Sequence, residues 1–193
     1  MIKAGSIHRN IVVKILSESF DSNQSVNFVV KQDAKRSERI RLLMEYSFDR
    51  CFAFGEIYLS DDQNACALLL HSECKRNNLK SIWNDIRIAI SCIGIAGIRK
   101  VVERERAIHR HHPKIPFGHL WYIGVAPARQ AAGIGSTMLQ EIIHHCTTLE
   151  KAIYLETSTL INIPWYKKHG FEIIAILDLT FPLYILKRNC IAQ

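Results

Sequence analysis

Apolar residues recur along this chain with two alternating periods, and the period predicts the elements. Ile11, Val12, Leu16 and Phe20 fall on one helical stripe. Ile40, Leu43, Met44 and Phe48 form another, behind a Ser37-Glu38 pair that suits a helix N-terminus. Between Phe52 and His71 the period changes. Two short apolar segments, Phe54 to Leu59 and Ala65 to Leu70, flank Ser60, Asp61, Asp62, Gln63 and Asn64, the composition of a β-hairpin. Helical spacing returns from Lys80 to Arg110, with Ile86, Ile90, Ile93, Ile98, Val101, Val102 and Ile108 on apolar stripes, until Pro113 and Pro116 stop it. The most apolar run, Ile88 to Ile98, is interrupted by Ser91, Gly94 and Gly97. It is far shorter than the ~18 to 20 residues a membrane span needs, so a buried helix is predicted there.

The second half alternates strand and helix. Gly118 to Val125 reads as a strand, Ser136 to Cys146 as an amphipathic helix through Met138, Leu139, Ile142, Ile143 and Cys146, and Ala152 to Thr157 as a strand. A short helix from Pro164 to His169 ends at Gly170. Phe171 to Leu177 and Phe181 to Leu186 then predict two closing strands around Asp178, Leu179 and Thr180. The expected class is α/β or α+β with a mixed sheet. No repeat, Pro-rich linker or single-sign block divides the chain, so a single domain over 1–193 is expected.

Composition narrows this picture in one respect. With 48% hydrophobic and 22% charged residues, the chain is ordinary globular material and not disordered. Its 25 Lys plus Arg against 18 Asp plus Glu leave a charge of +7, and the isoelectric point is near 9.2. That excess admits a nucleic acid, an acidic substrate or a phosphorylated cofactor. Cys51, Cys66, Cys74, Cys92, Cys146 and Cys190 form no CxxC, and Met-Ile-Lys-Ala-Gly-Ser is no secretory leader, which points to a reducing cytoplasm.

The chemistry concentrates in Val125-Ala-Pro-Ala-Arg-Gln-Ala-Ala-Gly-Ile-Gly-Ser136, which leaves a strand, turns through two glycines and opens a helix. A helix N-terminus offers unpaired N–H groups and partial positive charge, and glycines let an anion approach the backbone. This is a phosphate-binding arrangement. A Walker A loop would need a lysine before Ser136, and a dinucleotide fingerprint would need glycine where Met138 stands, so both are excluded by spacing.

Gln130-Ala-Ala-Gly133-Ile-Gly135 resembles the Q/R-x-x-G-x-G/A signature of the GCN5-related N-acetyltransferases (GNAT family), in that family's place between its fourth strand and the next helix. Tyr154-Leu-Glu-Thr-Ser158, followed by Asn162-Ile-Pro-Trp-Tyr166-Lys-Lys-His-Gly170-Phe171, resembles its fifth strand, short helix and Tyr-x-x-x-Gly-Phe turn. The resemblance covers Gly118 to the C-terminus. It implies the GNAT fold, a mixed and mostly antiparallel sheet flanked by helices, with strands 4 and 5 splayed around CoA. It further implies transfer of acetyl from acetyl-CoA to a primary amine by direct attack in a ternary complex, without a metal. Backbone groups of Ile123 and Val125 would hold the pantetheine. The amides of Gln130, Ala131, Gly133, Ile134, Gly135 and Ser136 would hold the pyrophosphate, and Asn162 would touch the cofactor. Relatives often carry asparagine where this chain has Thr159.

Under the same resemblance Tyr166 becomes the general acid that protonates the departing thiolate. His119 falls where relatives carry a catalytic glutamate or histidine, which makes it the first candidate for general base, and Glu156 is the second. The alternative roles are a structural histidine at a strand entry and an aromatic lid beside Trp165 and Phe171. Other readings are weaker. His109 and His112 could share a helix face as metal ligands, but no acidic or Cys ligand stands beside them in sequence, so a polar helix end is expected. His144 and His145 are expected on an exposed helix face. Arg99, Lys100, Arg104, Arg106, Arg110 and Lys114 are interleaved with Glu103 and Glu105, as on a solvated face, which argues against a nucleic-acid partner. A non-catalytic acyl-CoA-binding domain remains the alternative function. The expected partner is a small-molecule or peptide amine with no membrane, and the last two strands offer an edge for a homodimer.

Overall fold

The structure, a computed structural model, describes residues 1–74 and 88–190. A seven-stranded sheet in the order β1-β2-β3-β4-β5-β7-β6 runs through it. The strands are β1 (Ile2–Lys3), β2 (Gly55–Leu59), β3 (Ala65–His71), β4 (Gly118–Val125), β5 (Ile153–Thr157), β6 (Glu172–Asp178) and β7 (Pro182–Arg188). Every neighbouring pair is antiparallel except β4 and β5. The predicted mixed, mostly antiparallel sheet is therefore present. The hairpin joins β2 to β3 as expected, and its turn is closed by side chains. The Ser60 hydroxyl accepts from the amides of Asn64 and Ala65, and the Asp62 carboxylate accepts from the Asn64 amide.

The helices are α1 (Arg9–Ser19), α2 (Gln24–Val29), α3 (Arg36–Phe54), α4 (Ile95–His109), α5 (Ile134–Thr148) and α6 (Asn162–Lys168). The stripes read from the sequence are the ones that pack. Val12, Leu16, Met44 and Phe48 of α1 and α3 bury against Cys66, Leu68 and Leu70. Met138, Leu139, Ile142 and Cys146 of α5 bury against Ala67, Leu69 and Leu120 on the other face. β3 is buried at every position because both its faces are covered, which explains why its sequence is an unbroken apolar run and not an alternation. The short α2 has no clear apolar period. It is started instead by Asn23, whose side chain accepts from the Val26 amide at 3.0 Å.

The buried helix expected over Ile88 to Ile98 is not what forms. A π-helical turn (Ala89–Ile93) stops at Gly94, whose φ of +74° breaks the helical path, and α4 begins afresh. Cys92, Val101 and Ile108 point inward, while Ile90 and Ile95 are 58% and 81% exposed. Ile86 of the predicted stripe lies outside the described residues.

β4 and β5 are paired only at Gly118↔Ile153 and His119↔Tyr154 and then diverge. In β4, Leu68 of β3 faces Tyr122 and Leu69 faces Leu120, so Trp121 is an extra residue. This bulge sharpens the local twist where the strands part.

On the α5 face, Glu56 gathers four donors: Lys3 at 2.6 Å, Tyr58 at 3.0 Å, His71 at 3.1 Å and His145 at 2.6 Å. His145 is thus half-buried and partnered, contrary to the exposed position expected of it, whereas His144 is exposed. Burial works to raise the Glu56 carboxyl, but the bonds from Lys3, His145, His71 and Tyr58 prevail and hold it at about 2, below its ordinary 4.5. A carboxyl depressed in the fold contributes stability above its unfolded pKa and loses it as pH falls toward the folded one. The protein is therefore expected to lose about 2 to 3 kcal/mol through Glu56 between about pH 5 and pH 2. Urea unfolding of wild type and Glu56→Gln across that window checks it; parallel pH slopes for the two proteins would refute the assignment.

Candidate active site

The parallel register decides where the chemistry sits. His119 lies beside Tyr154, and Glu156, two residues further along β5, shares the face of Tyr154. His119 Nε2 consequently meets Glu156 Oε2 at 2.7 Å. The segment after α4 brings His112 to the other carboxylate oxygen, with Nε2 3.0 Å from Oε1. The three side chains are only 11%, 9% and 6% exposed in the order His119, Glu156, His112. The His112 ring packs edge-on or tilted against Phe117, His119 and Tyr154, which fixes its orientation.

Burial by itself raises the Glu156 carboxyl. The electrostatic pull of His119, with hydrogen bonds from His112 and His119, more than reverses this and holds it well below the usual carboxylate range. An ionised Glu156 accepts Nε2–H from His119, so in the neutral ring the lone pair is on Nδ1. That Nδ1 is buried and has no partner among the described residues. The ring is thus held on one side by a carboxylate and bare on the other.

A cavity of about 360 Å³ opens where β4 and β5 diverge. Of the residues singled out in the sequence, His119, Glu156, Tyr166, Ile123 and Asn162 line it together. Tyr166 is 5% exposed, its ring edge-on to Phe171 at 5.6 Å and tilted against Trp165 at 4.7 Å. Burial pushes its phenol pKa up, so the hydroxyl keeps its proton. Packing and a polar tip coexist in this residue, because the ring belongs to the core while the side chain borders the cavity. Asn162 opens α6, its amide donating to the Thr159 carbonyl at 3.0 Å. The Thr159 hydroxyl accepts from Asn23 at 3.3 Å, the Ser25 amide donates to Ser158 at 3.3 Å, and Arg104 donates to Ser25 at 2.7 Å. These bonds draw α2 and α4 over the end of β5.

Val125, Gln130, Ala131, Gly133, Ile134, Gly135 and Ser136 lie outside that cavity, from the end of β4 through the loop that leaves it to the first turn of α5. Gln130 donates to the Val125 carbonyl at 3.2 Å and so curls the loop back on its strand. Ala131 and Gly133 have φ of +61° and +83°. Alternating left-handed residues turn successive amides toward one side. The amides of Ser136 and Thr137 donate to the Gly133 carbonyl, while those of residues 131 to 135 have no backbone acceptor among the described residues. At Gly135 a Cβ would sit 3.3 Å from Val125 Cγ2, so glycine lets α5 begin directly against β4. Trp165 donates to the Ser136 hydroxyl at 2.8 Å and ties this loop to α6, the helix of Tyr166.

Residues 85–173 match the sequence profile of the acetyltransferase (GNAT) domain. That stretch, from the segment before α4 to the start of β6, is similar to a GNAT acetyltransferase domain. Solved structures agree in fold. A structure described as histone acetyltransferase HPA2 and related acetyltransferase, from Corynebacterium glutamicum, superposes with a TM-score of 0.73 at 20% identity, covering 97% of this chain and 94% of that one. Arylalkylamine N-acetyltransferase 2 from Aedes aegypti gives 0.65 at 10% identity, covering 98% and 97%. The ribosomal-protein-S18-alanine N-acetyltransferase from Escherichia coli gives 0.54 at 14%, covering 98% and 92%.

In this cavity His119 and Glu156, the two candidate bases, are hydrogen-bonded partners, not alternatives. His112 is the residue that sequence reasoning set aside, on the ground that no acidic group stands near it. Glu156 is that group, brought there by a strand 44 residues away. Nothing in the spacing of His112 signals this contact. Its only local cue is the Pro113 and Pro116 pair, which turns the chain from α4 toward β4.

Proposed function

We propose that this protein is an N-acetyltransferase that carries acetyl from acetyl-CoA to a primary amine by direct attack in a ternary complex. The observation that carries this reading is the convergence of the His119–Glu156 pair and Tyr166 on one cavity, at the point where β4 and β5 part. The amides of residues 131 to 135, which have no backbone acceptor among the described residues, and the left-handed turns at Ala131 and Gly133 fit a pyrophosphate. Ile123 borders the same cavity, where its backbone and that of Val125 would hold the pantetheine, and Asn162 would touch the cofactor. Acetyl-CoA supplies the activated thioester. His119 Nδ1 accepts the proton from the attacking amine, while Glu156 holds the ring and offsets the charge it gains. A backbone N–H beside the β4 bulge stabilises the oxyanion, and Tyr166 gives its proton to the departing thiolate as the C–S bond breaks.

In this reading the chain is one domain over 1–193, works in the cytoplasm, and takes a small-molecule or peptide amine without a catalytic metal or a nucleic-acid partner. The edge strand β6, with Ile174 and Ile176 exposed, supports pairing with a second copy. Acetyl-CoA is expected to raise thermal stability, by about 2.7 kcal/mol at 100 times its dissociation constant. No shift at millimolar acetyl-CoA would overturn the cofactor assignment. A shift without thiol release from any member of an amine panel would favour a non-catalytic acyl-CoA-binding domain.

A further inference from the structure

The three side chains that meet at Glu156 have a second chemistry. We propose that His112, His119 and Glu156 form a Zn²⁺ site whose occupation blocks acetyl transfer; the site stands on its own geometry, and only the blocking rests on the function proposed above. Two imidazoles and a carboxylate are a donor set that zinc takes with a fourth position left open. With bonds of about 2.0 to 2.1 Å, a tetrahedral zinc sets its ligand atoms roughly 3.3 Å apart. Here the two nitrogens lie 3.0 and 2.7 Å from the carboxylate oxygens, and one ligand atom from each residue falls within 4.8 Å of the others. The side chains are at most 11% exposed and the rings are already oriented by packing, so small displacements make the site.

A second cluster in the same molecule shows what would prevent it. Glu56, His71 and His145 meet the same distance condition. There, however, the Lys3 ammonium is 2.6 Å from Glu56 and the Lys151 ammonium is 3.3 Å from His71 Nδ1. Lys3 already neutralises that carboxylate, and the Lys151 ammonium, itself paired with Glu73, stands against the His71 ring, so a dication meets positive charge there. Among the described residues no Lys or Arg hydrogen-bonds to Glu156, whose partners are two imidazoles.

Zinc binding requires the lone pair of each imidazole at Nε2, so each ring moves its proton to Nδ1. For His112 that nitrogen already faces His109 Nδ1 at 3.4 Å. For His119 it is the unpartnered Nδ1, the lone pair assigned above to the amine proton. Loading the metal therefore consumes the base.

The test uses the full-length, chelator-treated protein. Equilibrium dialysis against micromolar Zn²⁺ is expected to give one ion per chain. Co²⁺ is expected to give the intense visible absorption of a tetrahedral site, bleached by added Zn²⁺. His112→Gln should weaken Zn²⁺ binding at least tenfold, while His145→Gln leaves it unchanged. Thiol release should fall as zinc is added and return with chelator. No bound zinc, equal binding by His112→Gln, or loss confined to His145→Gln would overturn the site. Stoichiometric, His112-dependent binding in a protein that transfers no acetyl would uphold the site and refute the acetyltransferase reading instead.

Discussion

Tyr166→Phe is expected to lower turnover by ~10² to 10⁴ while acetyl-CoA binding survives. The substitution removes one oxygen and keeps the ring, and it is the ring that packs against Trp165 and Phe171. Core packing is therefore preserved. The hydroxyl forms no hydrogen bond to the described residues, so its removal leaves no protein group unpaired, and the stability change should stay below about 1 kcal/mol. What is lost is a phenol that burial keeps protonated at the edge of the cavity. Single-turnover thiol release, with thermal shift by acetyl-CoA measured in parallel, separates the two effects. Unchanged turnover would leave Tyr166 only its structural part.

His119→Ala should cost a comparable factor, ~10² to 10⁴ in kcat/KM, because it removes the proton acceptor itself. Glu156 would keep its hydrogen bond from His112, so its carboxylate does not become an unpaired buried charge. The deletion also leaves a ring-sized space bordering the cavity, and added imidazole should restore part of the rate. A purely structural histidine would show neither pattern: loss of activity would follow loss of thermal stability, and imidazole would change nothing. Glu156→Gln gives the complementary result, since an amide can hold the ring but cannot offset an imidazolium charge. Its defect should therefore appear in kcat more than in KM. Full activity of His119→Ala would remove His119 from the mechanism.

Much of the fold could be read in the sequence, for reasons visible in particular residues. Val12 and Leu16, Met44 and Phe48, and Met138 and Ile142 repeat at the helical period, and each set packs on the sheet. Ser60, Asp62 and Asn64 close the hairpin by bonds among themselves and the adjoining backbone. The glycine loop was legible because Gly133 needs its left-handed φ and Gly135 its missing Cβ, both requirements of a few consecutive residues. The reading failed where local pattern and tertiary demand separate. Ile88 to Ile98, though interrupted by Ser91, Gly94 and Gly97, predicts one buried helix, yet Gly94 divides it and Ile90 and Ile95 face outward. α2, capped by Asn23, was too short to show a period.

The candidate site divides along the same line. The sequence by itself determined the groups available: a glycine loop at a helix start, a tyrosine on a short helix, a histidine on one strand and a glutamate on another. Each is set by periods of two or 3.6 residues and by turn preferences that act over a few positions. Only the tertiary structure decided that His119, Glu156 and His112 form one cluster. His119 and Glu156 are 37 residues apart, and they meet because α5 carries the chain back to lay β5 parallel to β4. A shift of that pairing by one residue would turn Glu156 to the opposite face, since side chains alternate along a strand. Such a register is chosen by burying α5 and the sheet faces together, a property of the whole packed core that no local spacing encodes.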